Sequence, residues 1–180
     1  VLLSHLHYDH MSDALVLQYQ LQAAGKRLPL FVPPEDASPQ RALLSAAFDV
    51  ASYPRQMGLG ALTITSFPVR HSVPCRALRI TEGVKTFVYT GDTNDCPGLS
   101  DFCRGADALL ADAAFLTEEW RDTRPHMSAA GAARLAQNAG VKRLYLTHLP
   151  LRHAPQTLEA QAREIFPGAQ AVAPGMVISL

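Results

Sequence analysis

The segment His5-Leu6-His7-Tyr8-Asp9-His10 sets three imidazoles and a carboxylate within six positions. In extended backbone, alternate side chains point the same way. His5, His7 and Asp9 can therefore share a face, and a tightening turn would bring His10 round to it. Four more polar residues stand at comparable places further along. His71 follows the run Phe67-Pro68-Val69, and Asp92 follows Tyr89-Thr90-Gly91. His126 opens the stretch HMSAAG, and His148 follows RLYLT. Imidazole and carboxylate without thiolate suit Zn²⁺, Mn²⁺ or Fe²⁺. Six such ligands and one shared carboxylate are too many for one tetrahedral ion. They suit two divalent ions about 3.5–4 Å apart.

These residues need elements to position them. Apolar runs alternate with helical patterns, which argues for a layered α/β fold. Strands are expected at residues 1–4, 29–32, 62–69, 76–81, 86–90, 108–111, 143–147, 169–172 and 176–179. Glu82-Gly83 reads as the turn of a hairpin. Ser12 or Asp13 can cap a helix that runs to Ala24. Ser38-Pro39 opens a second helix, expected to reach about Phe48. Ser128 caps a third, from Ala129 to Ala139, closed by Gly140, and Pro155 opens a fourth to about Ile165. Each candidate ligand past the opening cluster lies just beyond a strand or just before a helix. Loops of that kind gather ligand sites in α/β sheets. Gly91 lets the backbone turn and carry Asp92 inward.

The composition narrows the partners. Sixteen basic residues balance sixteen acidic ones, so no global field favours nucleic acid or an anionic membrane. No apolar run is long enough to span a bilayer. Three cysteines without CxxC spacing read as free thiols in a reducing, cytoplasmic setting. No linker is visible, so residues 1–180 read as one domain. Val1-Leu2-Leu3 reads as the end of a buried strand whose neighbours are missing, and the expectation is a domain lacking its N-terminal strands.

HLHYDH, a single His after a strand, GDT and a late THL resemble the metallo-β-lactamase-fold hydrolase superfamily. The motifs run in the family's order across essentially the whole chain. The resemblance implies an αββα sandwich of two mixed sheets flanked by helices, here N-terminally incomplete. It implies that His5, His7 and His71 hold one metal ion, that Asp9, His10 and His148 hold the other, and that Asp92 bridges them. It implies a hydrolase whose nucleophile is the bridging hydroxide, with Asp9 also orienting the water or shuttling its proton. Two ions, Zn²⁺ foremost, with Mn²⁺ and Fe²⁺ as alternatives, are the implied cofactors.

The stretch from His126 to Pro150 resembles the phosphodiesterase branch that includes ribonuclease Z. That implies a catalytic His126, which stabilises the phosphorane-like state or protonates the leaving alkoxide. A helix-capping role without catalysis is the alternative. Asp112 can orient a ligand from behind or simply cap. Arg152 and His153 read as solvated loop residues more than as phosphate binders, and Cys75 as an apolar filler. Only twenty residues separate His71 from Asp92, room for a hairpin and not for a tRNA-binding arm. The expected substrate is a small molecule or short phosphodiester, not tRNA, with no membrane partner; the resemblance leaves a homodimer open. A thioester or lactam hydrolase is the enzyme alternative. A metal-free fragment or binding protein is the other.

Overall fold

The computed structural model describes all residues from Val1 to Leu180. Helix α1 (Tyr8–Ala23), strand β1 (Leu28–Val32), helix α2 (Pro39–Leu44) and strand β2 (Phe48–Ser52) come first. Strands β3 (Gln56–Leu59), β4 (Leu62–Val69), β5 (Cys75–Glu82) and β6 (Lys85–Tyr89) form an antiparallel meander. Helix α3 (Leu99–Cys103) then leads to β7 (Ala108–Asp112), α4 (Ala129–Ala139) to β8 (Leu144–Thr147), and α5 (Pro155–Arg163) to β9 (Gln170–Ala171). These last three strands extend the meander in parallel, giving a seven-stranded sheet in the order β3-β4-β5-β6-β7-β8-β9. Parallel β1 and β2 form a separate two-stranded sheet. The result is two sheets flanked by helices, as the resemblance implies.

Two cores hold this together. The larger packs β5 to β8 against α3, α4 and α5. Five of its residues are alanines of α4, Ala129, Ala132, Ala133, Ala136 and Ala139, spaced at near-helical period along one stripe. Small side chains let that helix lie close to the sheet. Residues of β7 and β8 are buried almost without alternation, the pattern of strands covered on both faces. The smaller core joins Met11, Ala14 and Leu21 of α1 to Leu30, Val32 and Phe48. Between the two, the opening segment acts as a strap. Leu3 N–H donates to Phe31 O at 3.0 Å, and Arg76 N–H donates to Ser4 O at 2.9 Å.

Strand direction explains where polar residues gather. Strands β4 and β6 are each antiparallel to β5, so they run the same way. Strands β7 and β8 are parallel to β6. The C-terminal ends of β4, β6, β7 and β8 therefore share one edge of the sheet. His71, Asp92, Asp112 and His148 all lie at that edge.

Several expected elements differ. Residues 1–4 make one bridge, Leu2 to Phe31, rather than a strand. Helix α1 starts at Tyr8, with extended His7 as its N-cap, and not at Ser12 or Asp13. Asp9 is therefore on the first helical turn and is not a third residue of an extended face. The second helix stops at Leu44, because Phe48 is needed in β2, where it pairs with Leu28 and is 1% exposed. Strands β2 and β3 and helix α3 are additional to the expected elements. Residues 176–179 form no strand, and Val177 is exposed. The hairpin at Glu82-Gly83 is present, with Glu82 opposite Lys85 and Gly83 at φ 55°.

Candidate metal centre

The structure brings His5, His7, Asp9, His10, His71, Asp92 and His148 into one cluster, with His126 and Asp112 beside it. Three imidazole nitrogens meet at one corner. His5 Nε2 is 3.1 Å from His7 Nδ1, and His71 Nε2 is 3.2 Å from the same atom. At the other corner, Asp9 Oδ2 is 3.4 Å from His10 Nε2 and 3.9 Å from His148 Nε2. Asp92 Oδ2 stands between them, 3.7 Å from His5 Nε2, 3.2 Å from His10 Nε2 and 3.2 Å from His148 Nδ1.

The rear of each ring shows how it is oriented. His5 Nδ1 contacts Ser4 Oγ at 3.1 Å and Cys75 Sγ at 3.7 Å. His71 Nδ1 donates to Pro125 O at 3.2 Å, which directs its Nε2 to the cluster. Asp92 reaches the cluster because Gly91 turns the chain at φ 63°. A Cβ on Gly91 would stand 2.9 Å from Cys75 Sγ, 3.0 Å from Arg76 O and 3.1 Å from Ser4 Cβ. The glycine therefore serves the turn and also the close approach of this loop to the strap carrying His5. His148 sits at φ 56°, the one residue other than glycine in the left-handed region. Such backbone occurs where surrounding structure enforces it, and it gathers at functional sites.

Charge is distributed unevenly. Burial, followed by the neighbouring His10, drives the His5 pKa down to about 3, so its ring is neutral. Burial also lowers His71. Burial would lower His10 as well, but its bond to Asp92 and the charges of Asp92 and Asp9 outweigh it, so His10 is raised. His148 is raised by the adjacent carboxylates, Asp112 first and then Asp92. Burial would raise Asp92, but the bond from His10 and the charges of His148, His10 and His5 hold its carboxyl at about 2. Asp92 thus carries its negative charge at neutral pH.

The donor set fits divalent metal. Nitrogen lone pairs at 3.1–3.2 Å cannot all be paired as hydrogen bonds around one point. That spacing is near the about 3.3 Å edge of a tetrahedron with metal–nitrogen bonds of about 2.0–2.1 Å. His148 Nδ1 is buried and makes no hydrogen bond, because its contacts with Asp92 and Asp112 (3.8 Å) lack the geometry. A buried polar atom without a partner is costly unless something else occupies its lone pair.

His126 stands at the margin. Its Nδ1 donates to Asp112 Oδ2 at 2.7 Å and lies 4.0 Å from Asp92 Oδ2. Asp112 is fully buried and is held by the Thr93 and Ala114 N–H groups at 2.8 and 3.1 Å. Asp112 thus caps backbone and also orients His126. His126 precedes α4, whose N-cap Ser128 accepts from Gly131 N–H at 3.0 Å. Arg152 and His153 are engaged with Glu119, each at 2.8 Å, and are not free for a ligand. Cys75 is buried and unbridged, as its filler role requires. Asn94 was not singled out from the sequence. It is fully buried, and its Nδ2 donates to Arg124 O at 2.8 Å and Asp122 O at 3.3 Å, pinning the loop that precedes His126. Its position two residues past Asp92 in GDTND is the available signal. No helix of the chain is long and apolar enough to cross a membrane.

The fold and the cluster define a metal-dependent member of the β-lactamase superfamily. The family model described as "Beta-lactamase superfamily domain" matches residues 1–149, and the chain belongs to that family. A probable metallo-hydrolase of Bacillus subtilis, YhfI, is 33% identical over 177 residues, which are 93% of this chain and 72% of that protein. The crystal structure of YhfI superposes with a TM-score of 0.91 at 31% identity, covering 98% of this chain and 75% of that one. A ribonuclease Z of Myxococcus xanthus is 42% identical over 94 residues, 49% of this chain and 30% of that protein. The short form of human tRNase Z shares the fold, with a TM-score of 0.75 at 16% identity over 99% of this chain and 77% of that one.

Proposed function

We propose that this chain is a dinuclear metal-dependent hydrolase that acts on a phosphodiester. His5, His7 and His71 would hold one ion, Asp9, His10 and His148 the other, with Asp92 shared. When bound, such ions supply an activated water near neutral pH and positive charge for phosphoryl oxygens. The observation that carries the reading is the convergence of the two donor groups on Asp92 Oδ2, with the Asp112-held His126 at their margin.

The chain's own residues support the remaining roles. Asp9 is at the open side of the cluster, with a side chain 64% exposed, where it can orient a water or accept its proton. With Nδ1–H committed to Asp112, His126 has Nε2 left for proton transfer to a leaving alkoxide. The N-terminus of α4 beside it favours a phosphate oxygen through its partial positive charge. The likeness of half the chain to a ribonuclease Z supports a phosphodiester over a thioester or lactam. The interval between His71 and Asp92 is filled by the β5–β6 hairpin, and the formal charge is zero, which favours a small or short diester over tRNA.

The test is elemental analysis of the purified protein together with hydrolysis of bis(p-nitrophenyl) phosphate. About two ions per chain and chelator-sensitive turnover are expected. His126→Ala should retain the ions and slow cleavage by about 10²-fold or more. Two bound ions with no phosphodiester turnover would overturn the substrate class and leave the thioester or lactam reading.

A further inference from the structure

Beyond His126, two surface depressions meet at one arginine. The first, about 410 Å³, is lined by Arg70, His71, Asp122 and Arg124 among others. The second, about 440 Å³, is lined by Phe115, Glu119, Arg124 and Arg152. Arg124 is exposed and belongs to both.

Among the arginines of this rim, Arg124 is the one with an uncommitted charge. Arg70 pairs with Asp122 at 3.0 Å, and Arg152 with Glu119 at 2.8 Å. Arg124 makes no ion pair and no side-chain hydrogen bond. Its guanidinium instead lies over the Phe115 ring, 5.4 Å from the centroid, and that of Arg152 lies 5.6 Å from the same centroid. Two cations on one ring repel, and only one of them has a carboxylate. An arriving anion would relieve that repulsion. With both guanidiniums on the ring, Phe115 is a support for cations and not an open platform for a base. Stacking leaves the N–H edge of a guanidinium free for bidentate binding of phosphate.

The position of Arg124 is also fixed from behind. Asn94 Nδ2 donates to its carbonyl at 2.8 Å, and Arg70 donates to the Asp122 carbonyl at 2.6 Å. The carbonyl of Pro125 accepts from His71. The Phe115 ring is 6.2 Å from the His126 ring, which is 4.6 Å from that of His148. The free guanidinium is thus one aromatic ring away from the cluster.

We propose that Arg124, seated on Phe115, is a specificity-determining residue that binds a second phosphate of the substrate. The preferred substrates are then phosphodiesters that carry a further phosphate beyond the scissile one. This rests on the phosphodiester reading, because the cluster must take the first phosphate.

The test is calorimetric binding to the Zn²⁺-loaded full chain, with thymidine 3′,5′-bisphosphate and thymidine 5′-monophosphate as probes. Wild type should bind the bisphosphate about tenfold or more tighter, the scale of a charge-assisted bidentate contact. Arg124→Ala should bring the two affinities to within about twofold of each other. Arg124→Lys should keep part of the preference, since a point charge replaces the fork. Lys85→Ala, exposed at the opposite edge of the sheet, should keep all of it. Equal affinities in wild type, or an unchanged preference in Arg124→Ala, would overturn the proposal. A preference that disappears in Arg124→Ala, in a protein that cleaves no phosphodiester, would uphold the anion subsite and overturn the reaction assigned to the cluster.

Discussion

The two donor groups of the cluster are built differently. His5, His7 and His71 lie at the inner corner, with His5 fully buried and rings braced by Ser4 and Pro125. Asp9, His10 and His148 lie at the outer corner, on a helix's first turn and on a left-handed loop residue. Inner contacts are 3.1 and 3.2 Å, while outer ones extend to 3.9 Å. Burial lowers His5 and His71, whereas carboxylates raise His10 and His148. In the inner corner, His5 and His71 present lone pairs that are already free and already aimed. The outer corner spends its negative charge on its own imidazoles until something replaces them. Preorganised donors hold a ligand more tightly than donors that must rearrange.

That contrast can be broken most directly at the atom both corners share. Asp92→Ala removes the carboxylate that contacts His5, His10 and His148. Turnover of bis(p-nitrophenyl) phosphate should fall by at least about 10³-fold, since the loss of a charged shared ligand costs several kcal/mol at the transition state. Ion content should fall with it. Retention of two ions by this variant would mean that the corners are independent.

A paired substitution then sharpens the difference. His71→Ala strikes the inner corner, where Pro125 O braces the ring, and Asp9→Ala the outer one. Losing the braced inner ligand should weaken retention of one ion by more than about 100-fold, whereas Asp9→Ala should cost about tenfold. Dialysis against graded chelator, read by elemental analysis, measures both. Equal losses would show that exposure and bracing do not set affinity here.

The same division governs what could be read in the amino-acid order. The seven clustered side chains and His126 were visible because their types are rare together, and His71, Asp92 and His148 also follow strands. Ser128 and Gly140 marked α4 to the residue, since capping is local chemistry. The start of α1 was hidden, because His7 caps it by backbone conformation alone and makes no side-chain bond. Strand β2 was hidden because Phe48 continues a helical pattern until its pairing with Leu28 is known. Strand β3 contains a glycine and pairs on one side only. Gly91 was legible as a turn, but its contact with Ser4 and Cys75 is tertiary. The left-handed backbone of His148 and the clamp from Asn94 have no local signature at all.

A smaller effect should come from behind the cluster. Asp112→Asn keeps the shape but places an amide where a carboxylate accepts from His126 Nδ1 and Thr93 N–H. Both of those groups donate to Oδ2 while Ala114 N–H donates to Oδ1, so the amide must turn its NH2 toward one set or the other; with its oxygen kept by Ala114, His126 turns or changes tautomer. Turnover should fall by about 10–100-fold, the usual cost of losing an orienting carboxylate. Both ions should remain, because the donors themselves are intact. If an ion were lost, Asp112 would belong to the outer corner, where its oxygen lies 3.8 Å from His148 Nδ1.

The smallest effect lies outside both corners and calibrates them. Glu119 holds Arg152 and His153 at the surface, and those two bonds, Arg152 first, keep its carboxyl at about 2 instead of 4.5. A carboxyl lowered on folding stabilises the fold at every pH above its unfolded value. That contribution falls away between 4.5 and about 2, as the folded group takes up its proton. Glu119→Gln should therefore melt slightly below wild type at pH 6, and the gap should shrink as the pH is lowered through this window. The pair is exposed and screened by solvent, so the gap itself should be small. Thermal scans of both proteins at pH 6 and pH 3 measure it. A gap that widened toward pH 3 would mean that the bonds to Arg152 and His153 are not what lowers this carboxyl. A large gap at pH 6 would mean that the outer rim is braced as firmly as the inner corner, and the contrast between them would lose its basis.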